Sequence, residues 1–248
     1  MKTLGIIPAR YASTRFPGKP LALIGEKTMI RRVWEQARKC RDLSRVVVAT
    51  DDARIEEHVL HFGGEAMTTA ASHASGTERC QEVSAHLVKE GFDVVINLQG
   101  DEPFIHPEQI SQVISLFRKK EAMIGTLAKA IRTLEELLDP NVVKVVFDRN
   151  ERALLFSRQA IPYCRNIPPE EWISSRTFYR HIGIYGYRPE ILMEITALPV
   201  SGLEEAESLE QLRWIENGFP IHVGITSLES ISIDTPADLL KITNIPRT

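Results

Sequence analysis

An α/β fold is predicted by three observations on this 248-residue chain. Short apolar runs, Leu4 to Pro8 and Arg45 to Thr50, alternate with longer segments, Met29 to Cys40 and Asp52 to Phe62, whose apolar residues recur at helical spacing. A further apolar run, Asp93 to Leu98, leads through a polar turn into a helical segment that has Pro107 in its first turn. The length, with 43% hydrophobic residues, suffices for one domain with a sizeable core and a modest subdomain.

Each element follows from its neighbours. Leu4 to Pro8 reads as a buried strand and Met29 to Cys40 as a helix. Arg45 to Thr50 is a second strand, and the helix from Asp52 to Phe62 ends at Gly63-Gly64. Glu65 to Thr69 is a short strand, and the helix from Thr77 to Glu90 is stopped by Gly91. The strand Asp93 to Leu98 and the helix Pro107 to Lys119 place residues 99–102 just beyond a carboxyl end, the edge at which open α/β sheets bind ligands. Val142 to Phe147 and Ala153 to Ser157 flank Asp148-Arg149-Asn150-Glu151 and read as a hairpin. Residues 158–177, with Pro162, Pro168 and Pro169, form a long irregular loop. A strand from Phe178 to Tyr187, an amphipathic helix from Leu203 to Asn217, a strand from Ile221 to Ile225 and a helix from Ala237 to Thr243 complete the chain. No internal repeat interrupts this order.

Composition narrows the function. A net charge of -3 and a pI near 6.2 argue against general nucleic-acid or anionic-membrane binding, so a cluster of cations needs a local explanation. Cys40, Cys80 and Cys164 are far apart and show neither zinc spacing nor a disulfide framework. The apolar start is too short for a signal peptide and no run reaches membrane-spanning length, so the expected location is cytoplasmic.

The cations gather between the first strand and the first helix, where Arg10, Arg15 and Lys19 share a turn-rich loop with Ala9, Ala12, Ser13 and Gly18. Small residues let the main chain approach phosphate, Arg grips phosphate oxygens with a planar fork and Lys acts as a point charge, which suits a nucleoside triphosphate. A solvated connection is the plain alternative. The loop is neither a Walker A sequence nor a dinucleotide fingerprint, because Gly18-Lys19-Pro20 lacks the upstream glycine and the Ser/Thr. Asp101 and Asp234, beyond two separate strands, form a candidate Mg²⁺ pair, since that ion takes one or two carboxylates plus phosphate and water. Taken alone, each reads more readily as a cap or turn former, and their weight comes from joining the basic loop. Glu102 is a third candidate ligand, but its position before Pro103 favours an outward, structural role.

Ser75, Gly76 and Arg79 mark a helix start whose free amides favour an anionic ligand, or simply a capped helix. His58 and His61 sit one turn apart without a third ligand and are read as a solvated face. Arg158, Arg165, His181, Tyr185, Glu207 and Gln211 form a candidate acceptor set: His181, Gly183, Tyr185 and Tyr187 share a strand face, and Glu207 and Gln211 a helical face. Satisfied core and surface roles fit the same periodicity.

Taken together, the motifs resemble the 3-deoxy-manno-octulosonate cytidylyltransferases, the CMP-Kdo synthetases, nearly end to end. The resemblance is carried by Ile7 to Pro20, Ala49-Thr50-Asp51-Asp52, Ser75 to Arg79, Asn97 to Pro103, Pro140 to Lys144, Phe156-Ser157-Arg158, His181 to Tyr185, Glu207 to Arg213 and Asp234-Thr235-Pro236. The first and fourth of these occur across sugar nucleotidyltransferases, whereas the His181 and Glu207 blocks are more specific. Glu26-Lys27-Thr28 departs from a frequent Gly-Lys-Pro, and Ser232-Ile233 from a common Gly-Val, without removing a functional group.

The resemblance implies a nucleotide-diphospho-sugar transferase-like, Rossmann-like three-layer α/β fold with a mixed central sheet. Residues 1–130 and 219–248 would form the nucleotide-binding core of a single domain, and 131–218 a smaller sugar-acid-binding and dimerisation part. It implies Mg²⁺-dependent transfer of CMP from CTP to 3-deoxy-manno-octulosonate (Kdo), for lipopolysaccharide synthesis, with release of pyrophosphate. Ala9, Arg10, Ser13, Arg15 and Lys19 would hold the triphosphate, Ser75, Gly76 and Arg79 would lie by the cytidine, and Asp101 with Asp234 would hold magnesium. Arg15, Lys19, Asp101 and Asp234 would carry catalysis, and Gln99, Arg158, His181, Tyr185, Glu207 and Gln211 would surround Kdo. A homodimer through the Val142 to Ser157 region is implied, with no nucleic-acid or membrane partner. Transfer to 8-amino-Kdo or a sialic acid, and a nucleotide-binding regulator without turnover, are the alternative readings.

Overall fold

Parallel pairing organises the first half of the chain. The computed structural model describes residues 1–12, 16–229 and 232–243, with 241–243 as backbone only. Ser13 and Arg15 lie outside the described residues. The chain divides into two compact units, Met1–Ser111 with Glu229–Thr248, and Gln112–Leu228.

The first unit runs β1 (Thr3–Ala9), β2 (Leu23–Ile24), β3 (Lys27–Thr28), α1 (Met29–Lys39), β4 (Arg45–Thr50), α2 (Ala53–His61), β5 (Ala66–Thr68), α3 (Gly76–His86), β6 (Val94–Asn97) and α4 (Pro107–Leu116), along which the unit ends. Its main sheet has the order β6-β1-β4-β5 and is wholly parallel. The near-continuous apolar runs Thr3–Ala9 and Arg45–Thr50 are buried along almost their whole length, as strands covered on both faces must be. Because all four strands point the same way, the loops after Ala9, Thr50, Thr68 and Asn97 emerge on one edge. Polar caps start the helices there: Thr28 accepts from the Arg31 amide, Asp52 from that of Arg54 and Ser75 from that of Glu78. The helix expected to continue to Glu90 stops at His86, and Val88–Glu90 tightens into a 3₁₀ turn before left-handed Gly91.

The second unit contains β7 (Ile124–Ala130), α5 (Leu134–Leu138), β8 (Lys144–Phe147), β9 (Ala153–Ser157), α6 (Trp172–Ser175), β10 (Tyr179–Tyr187), α7 (Pro189–Thr196), α8 (Gly202–Glu207), α9 (Glu210–Glu216) and β11 (Ile221–Thr226). Here β11 pairs parallel with β7, β10 pairs antiparallel with β7 and β8, and the expected hairpin joins β8 to β9. The ladders are therefore mixed. The final helix, α10 (Pro236–Thr243), belongs to the first unit.

The second unit departs further from expectation. The segment Ile124–Ala130 and the short helix Leu134–Leu138 were not anticipated; the strand carries Gly125, Thr126 and two alanines and is secured by β10 and β11 on its two sides. The helix expected over Leu203 to Asn217 is two helices, because Ser208 turns left-handed at φ 51. Glu207 and Gln211 consequently lie on separate helices rather than on one face. The loop of residues 158–177 is also less irregular than expected, since Trp172 starts a short helix and packs with Ile131, Leu137, Cys164 and Phe178.

The three cysteines are buried thiols. Among the described residues no helix is long and apolar enough to cross a membrane.

Candidate functional site

The loop after β1 is shaped by its own backbone. Gly18 adopts φ 72, a left-handed conformation open to glycine, and its N–H donates to the Tyr11 carbonyl at 2.9 Å. The Tyr11 ring is covered by the Arg54 guanidinium, 3.4 Å from its centroid. Beyond Gly18, Lys19–Leu21 forms a 3₁₀ turn with Pro20 buried.

The segment after β6 approaches the same place. A Cβ on Gly100 would meet the Pro8 carbonyl oxygen at 2.7 Å, so only glycine lets the Gln99 to Asp101 backbone lie this close to the end of β1. The Ile233 amide donates to the Asp101 carbonyl at 2.9 Å, which brings Asp234 beside Asp101. An apolar cluster of Ile24, Met29 and Ile233 with Phe16, Phe104 and Leu239 fixes these segments from below.

The result is a cleft of about 260 Å³ lined by Ala9, Arg10, Lys19, Ser75, Gly76, Arg79, Gln99, Asp101 and Asp234, nine of the residues singled out from sequence. Lys19 Nζ lies 2.7 Å from Asp101 Oδ2 and 3.5 Å from Asp234 Oδ1. The two carboxylates thus already bracket one small cation, and as hard oxygen donors they are the kind of ligand that a divalent ion takes together with phosphate and water. Arg10 is exposed on the cleft wall. Arg79 is buried, held by Asp51 at 3.4 Å and by the Thr69 hydroxyl, so it joins the ends of β4 and β5 to α3 as well as lining the cleft.

Glu102 turns inward, contrary to expectation, and is 6% exposed. Successive turns, in which the Glu102 N–H donates to the Gln99 carbonyl and the Ile105 N–H to that of Glu102, roll the segment over. Sequence reasoning also missed His73 and Ala74 on the cleft wall. His73 Nε2 contacts Glu82, which also accepts from the Ala70 amide at 2.9 Å, while Glu78 accepts from the Ala74 amide at 2.8 Å. The Ala70 amide and then His73 hold the Glu82 carboxyl below its usual range, against the effect of burial. The signal was present in Glu78 and Glu82, one helical turn apart behind a polar loop. His58 is not free on a solvated face, as its Nε2 bonds Thr28 Oγ1 at 2.8 Å.

The acceptor candidates Arg158, His181, Tyr185, Glu207 and Gln211 belong to the second unit. His181 packs against Phe156 and Tyr185 at ring separations of 5.0 and 5.2 Å, and Tyr185 stacks on Tyr187 at 5.9 Å. These three side chains keep their common face although β10 bulges between Ile182 and Tyr185. Thr126 Oγ1 lies 2.8 Å from the Ile184 carbonyl and 3.0 Å from His181 Nε2. The Ile182 carbonyl is also in reach, at 3.1 Å, so the Thr126 hydrogen has two carbonyls to donate to and its oxygen is placed to accept from Nε2. Burial lowers the His181 pKa to about 3, and the ring is neutral at physiological pH.

This has a measurable consequence. A histidine depressed in the folded state binds fewer protons there than in the unfolded chain, so its stabilisation is complete above about pH 6.5 and is lost as pH falls towards 3. Urea titrations at pH 7 and 4.5 are expected to show a loss smaller by up to about 2 kcal/mol in His181→Gln than in the wild type. Equal losses would contradict an imidazole held neutral in the folded state.

Glu207 accepts from Ser157 Oγ at 2.6 Å and from the Arg158 amide at 2.8 Å, while Arg158 Nε donates to the Glu207 carbonyl at 2.6 Å. Burial raises the Glu207 pKa, but these hydrogen bonds and the charges of Arg158 and Lys144 outweigh it and the net shift is downward. The carboxylate therefore holds the Arg158 main chain, and the Glu207 carbonyl orients its guanidinium. Gln211 is buried on α9, whereas Arg165 is exposed and lies away from these contacts in the loop after Cys164.

A family model described as cytidylyltransferase matches residues 4–231. The chain is 54% identical over 245 residues, 97% of its length and 96% of the relative's, to a 3-deoxy-manno-octulosonate cytidylyltransferase of Parabacteroides distasonis. Among solved structures, a CMP:2-keto-3-deoxy-manno-octonic acid synthetase complexed with CTP superposes with a TM-score of 0.90 at 41% identity, covering 98% of this chain and 97% of that one. A putative glucose-1-phosphate thymidylyltransferase of Bacillus anthracis shares the fold at a TM-score of 0.64 and 16% identity, covering 99% and 97%. The expected nucleotidyltransferase-like α/β fold is borne out by both superpositions.

Proposed function

The chain belongs to the cytidylyltransferase family, and from that premise we propose that it transfers CMP from CTP to the anomeric 2-hydroxyl of Kdo, releasing pyrophosphate. It is a nucleotidyltransferase. The observation that carries the reading is the cleft itself, in which loops from separate strand ends converge Arg10, Lys19, Asp101 and Asp234.

In this reaction the Kdo hydroxyl attacks the α-phosphorus in line with departing pyrophosphate, and no covalent enzyme intermediate is needed. Arg10 and Lys19 oppose the triphosphate charge, and Lys19 with Arg15 stabilises the leaving group. Asp101 and Asp234 are the residues that would hold Mg²⁺, which supplies a lowered hydroxyl pKa and neutralised phosphate charge. Ser75 and Gly76 open α3 beside the nucleotide, and the strap made by His73 with Glu78 and Glu82 keeps that loop in register. On the acceptor side, Arg158, His181, Tyr185 and Gln211 of the second unit are the residues that would contact Kdo, with Glu207 orienting Arg158. Location in the cytoplasm and a homodimer through the Val142 to Ser157 region complete the proposal. Leu154, 59% exposed on β9, supports that contact.

Pyrophosphate release measured with each nucleoside triphosphate against Kdo, 8-amino-Kdo and sialic acid tests the reading. Release is expected with CTP and Kdo at the highest kcat/KM. A higher value with another acid transfers the assignment to that acceptor, and no release from any pairing leaves a binding protein without turnover.

A further inference from the structure

Lys19 stands where the metal is assigned. Its ammonium is 2.7 Å from Asp101 and 3.5 Å from Asp234, and its side chain is only 16% exposed. We propose that Lys19 is an exchangeable internal counter-cation, which occupies the carboxylate pair, competes with the divalent ion for it, and is released when the nucleotide's polyphosphate offers the ammonium a new partner. The identity of that polyphosphate rests on the cytidylyltransferase reading; the competition does not.

The competition is geometric. Magnesium binds carboxylate oxygens at about 2.0–2.1 Å and tolerates little distortion of its octahedral shell. A doubly charged ion on Asp101 Oδ2 and Asp234 Oδ1 would sit against an ammonium that already contacts both oxygens, and two cations cannot share those lone pairs at such separations. One must leave.

The backbone allows only the side chain to move. The Lys19 N–H donates to the Phe16 carbonyl, the Lys19 carbonyl accepts from Ala22, and left-handed Gly18 and buried Pro20 flank it. The exchange is therefore a swing of a flexible four-carbon stem carrying a point charge, a task suited to lysine and not to the planar arginine fork. Arg10 and Lys19 line one cleft, so a polyphosphate bound there receives the released ammonium without loop rearrangement.

Two consequences follow from linkage. Metal alone must displace Lys19 into solvent and binds weakly, whereas metal and polyphosphate together each remove an obstacle to the other. Before either arrives, the ammonium screens two carboxylates that would otherwise repel.

Mn²⁺ serves as the probe, with free ion counted by electron paramagnetic resonance and neither nucleotide nor acceptor present. Lys19→Met, which keeps the stem and removes the charge, is expected to bind Mn²⁺ at least about tenfold more tightly than the wild type. Lys19→Gln should shift the same way, Lys19→Arg should stay near wild type, and Asp101→Asn should weaken binding. Thermal melting of each variant reports folding, and the pair of neutral variants covers the loss of either one. Mn²⁺ affinity in a folded neutral variant equal to or below wild type overturns the proposal, as does binding indifferent to Asp101→Asn. Since no substrate enters, failure of the transferase reading would appear only in the pyrophosphate assay and leaves this result standing.

Discussion

Asp101→Asn is expected to lower kcat for pyrophosphate release by about 10²–10³-fold while the melting midpoint stays close to wild type. The scale is that of removing one group that stabilises charge developing in a transition state. Asp101 is one of two carboxylates on a shared cation, and the change removes a full negative charge without altering shape. Its backbone contribution survives, because the link to Ile233 runs through the Asp101 carbonyl and not the side chain. The segment therefore keeps its place and only its charge changes. Steady-state kinetics across a Mg²⁺ titration, with melting curves as a control, read the effect. A folded variant with near wild-type turnover at ordinary Mg²⁺ would refute the metal assignment.

Lys144→Met is expected to destabilise the protein by about 3 kcal/mol, mainly through the acceptor-side unit. Lys144 is fully buried, and its ammonium donates to the carbonyls of Asp139 at 2.9 Å and Val142 at 2.6 Å, and to that of Arg158. Burial pushes its pKa down, the charges of Asp139 and Glu207 pulling the other way. Methionine fills nearly the same space and donates nothing, so three carbonyls lose one partner at once. For a chain of this size the loss corresponds to about 6–12 °C in melting midpoint. Because Arg158 is one of the three, the KM for Kdo should rise more than kcat falls. Calorimetry and kinetics at a temperature where the variant is folded measure both, and an unchanged midpoint would show that the carbonyls find other partners.

Much of the first unit was readable in advance because its strands are buried on both faces. Val46, Val47 and Val48, or Ile6 and Ile7, leave no choice of face, and Asp52 and Ser75 cap the helices they precede. The second unit was less legible. Its strand Ile124–Ala130 has little propensity of its own and is stabilised by two neighbours distant in sequence. The break at Ser208 left no mark in hydrophobic spacing, since Leu209, Leu212 and Trp214 continue to face inward after it.

The chemistry divides in the same way. Local order and residue type alone marked Arg10, Lys19, Asp101 and Asp234 as candidates for a phosphate- and metal-directed set, because a polyphosphate demands cations on a close-approaching backbone and magnesium takes carboxylates. Only the folded chain decided that Lys19 sits on those carboxylates, that Glu207 orients Arg158 and that His73 straps the loop beside Ser75. Those relations join residues tens to hundreds of positions apart, or depend on which way a turn rolls. They are properties of packing, which no local pattern encodes.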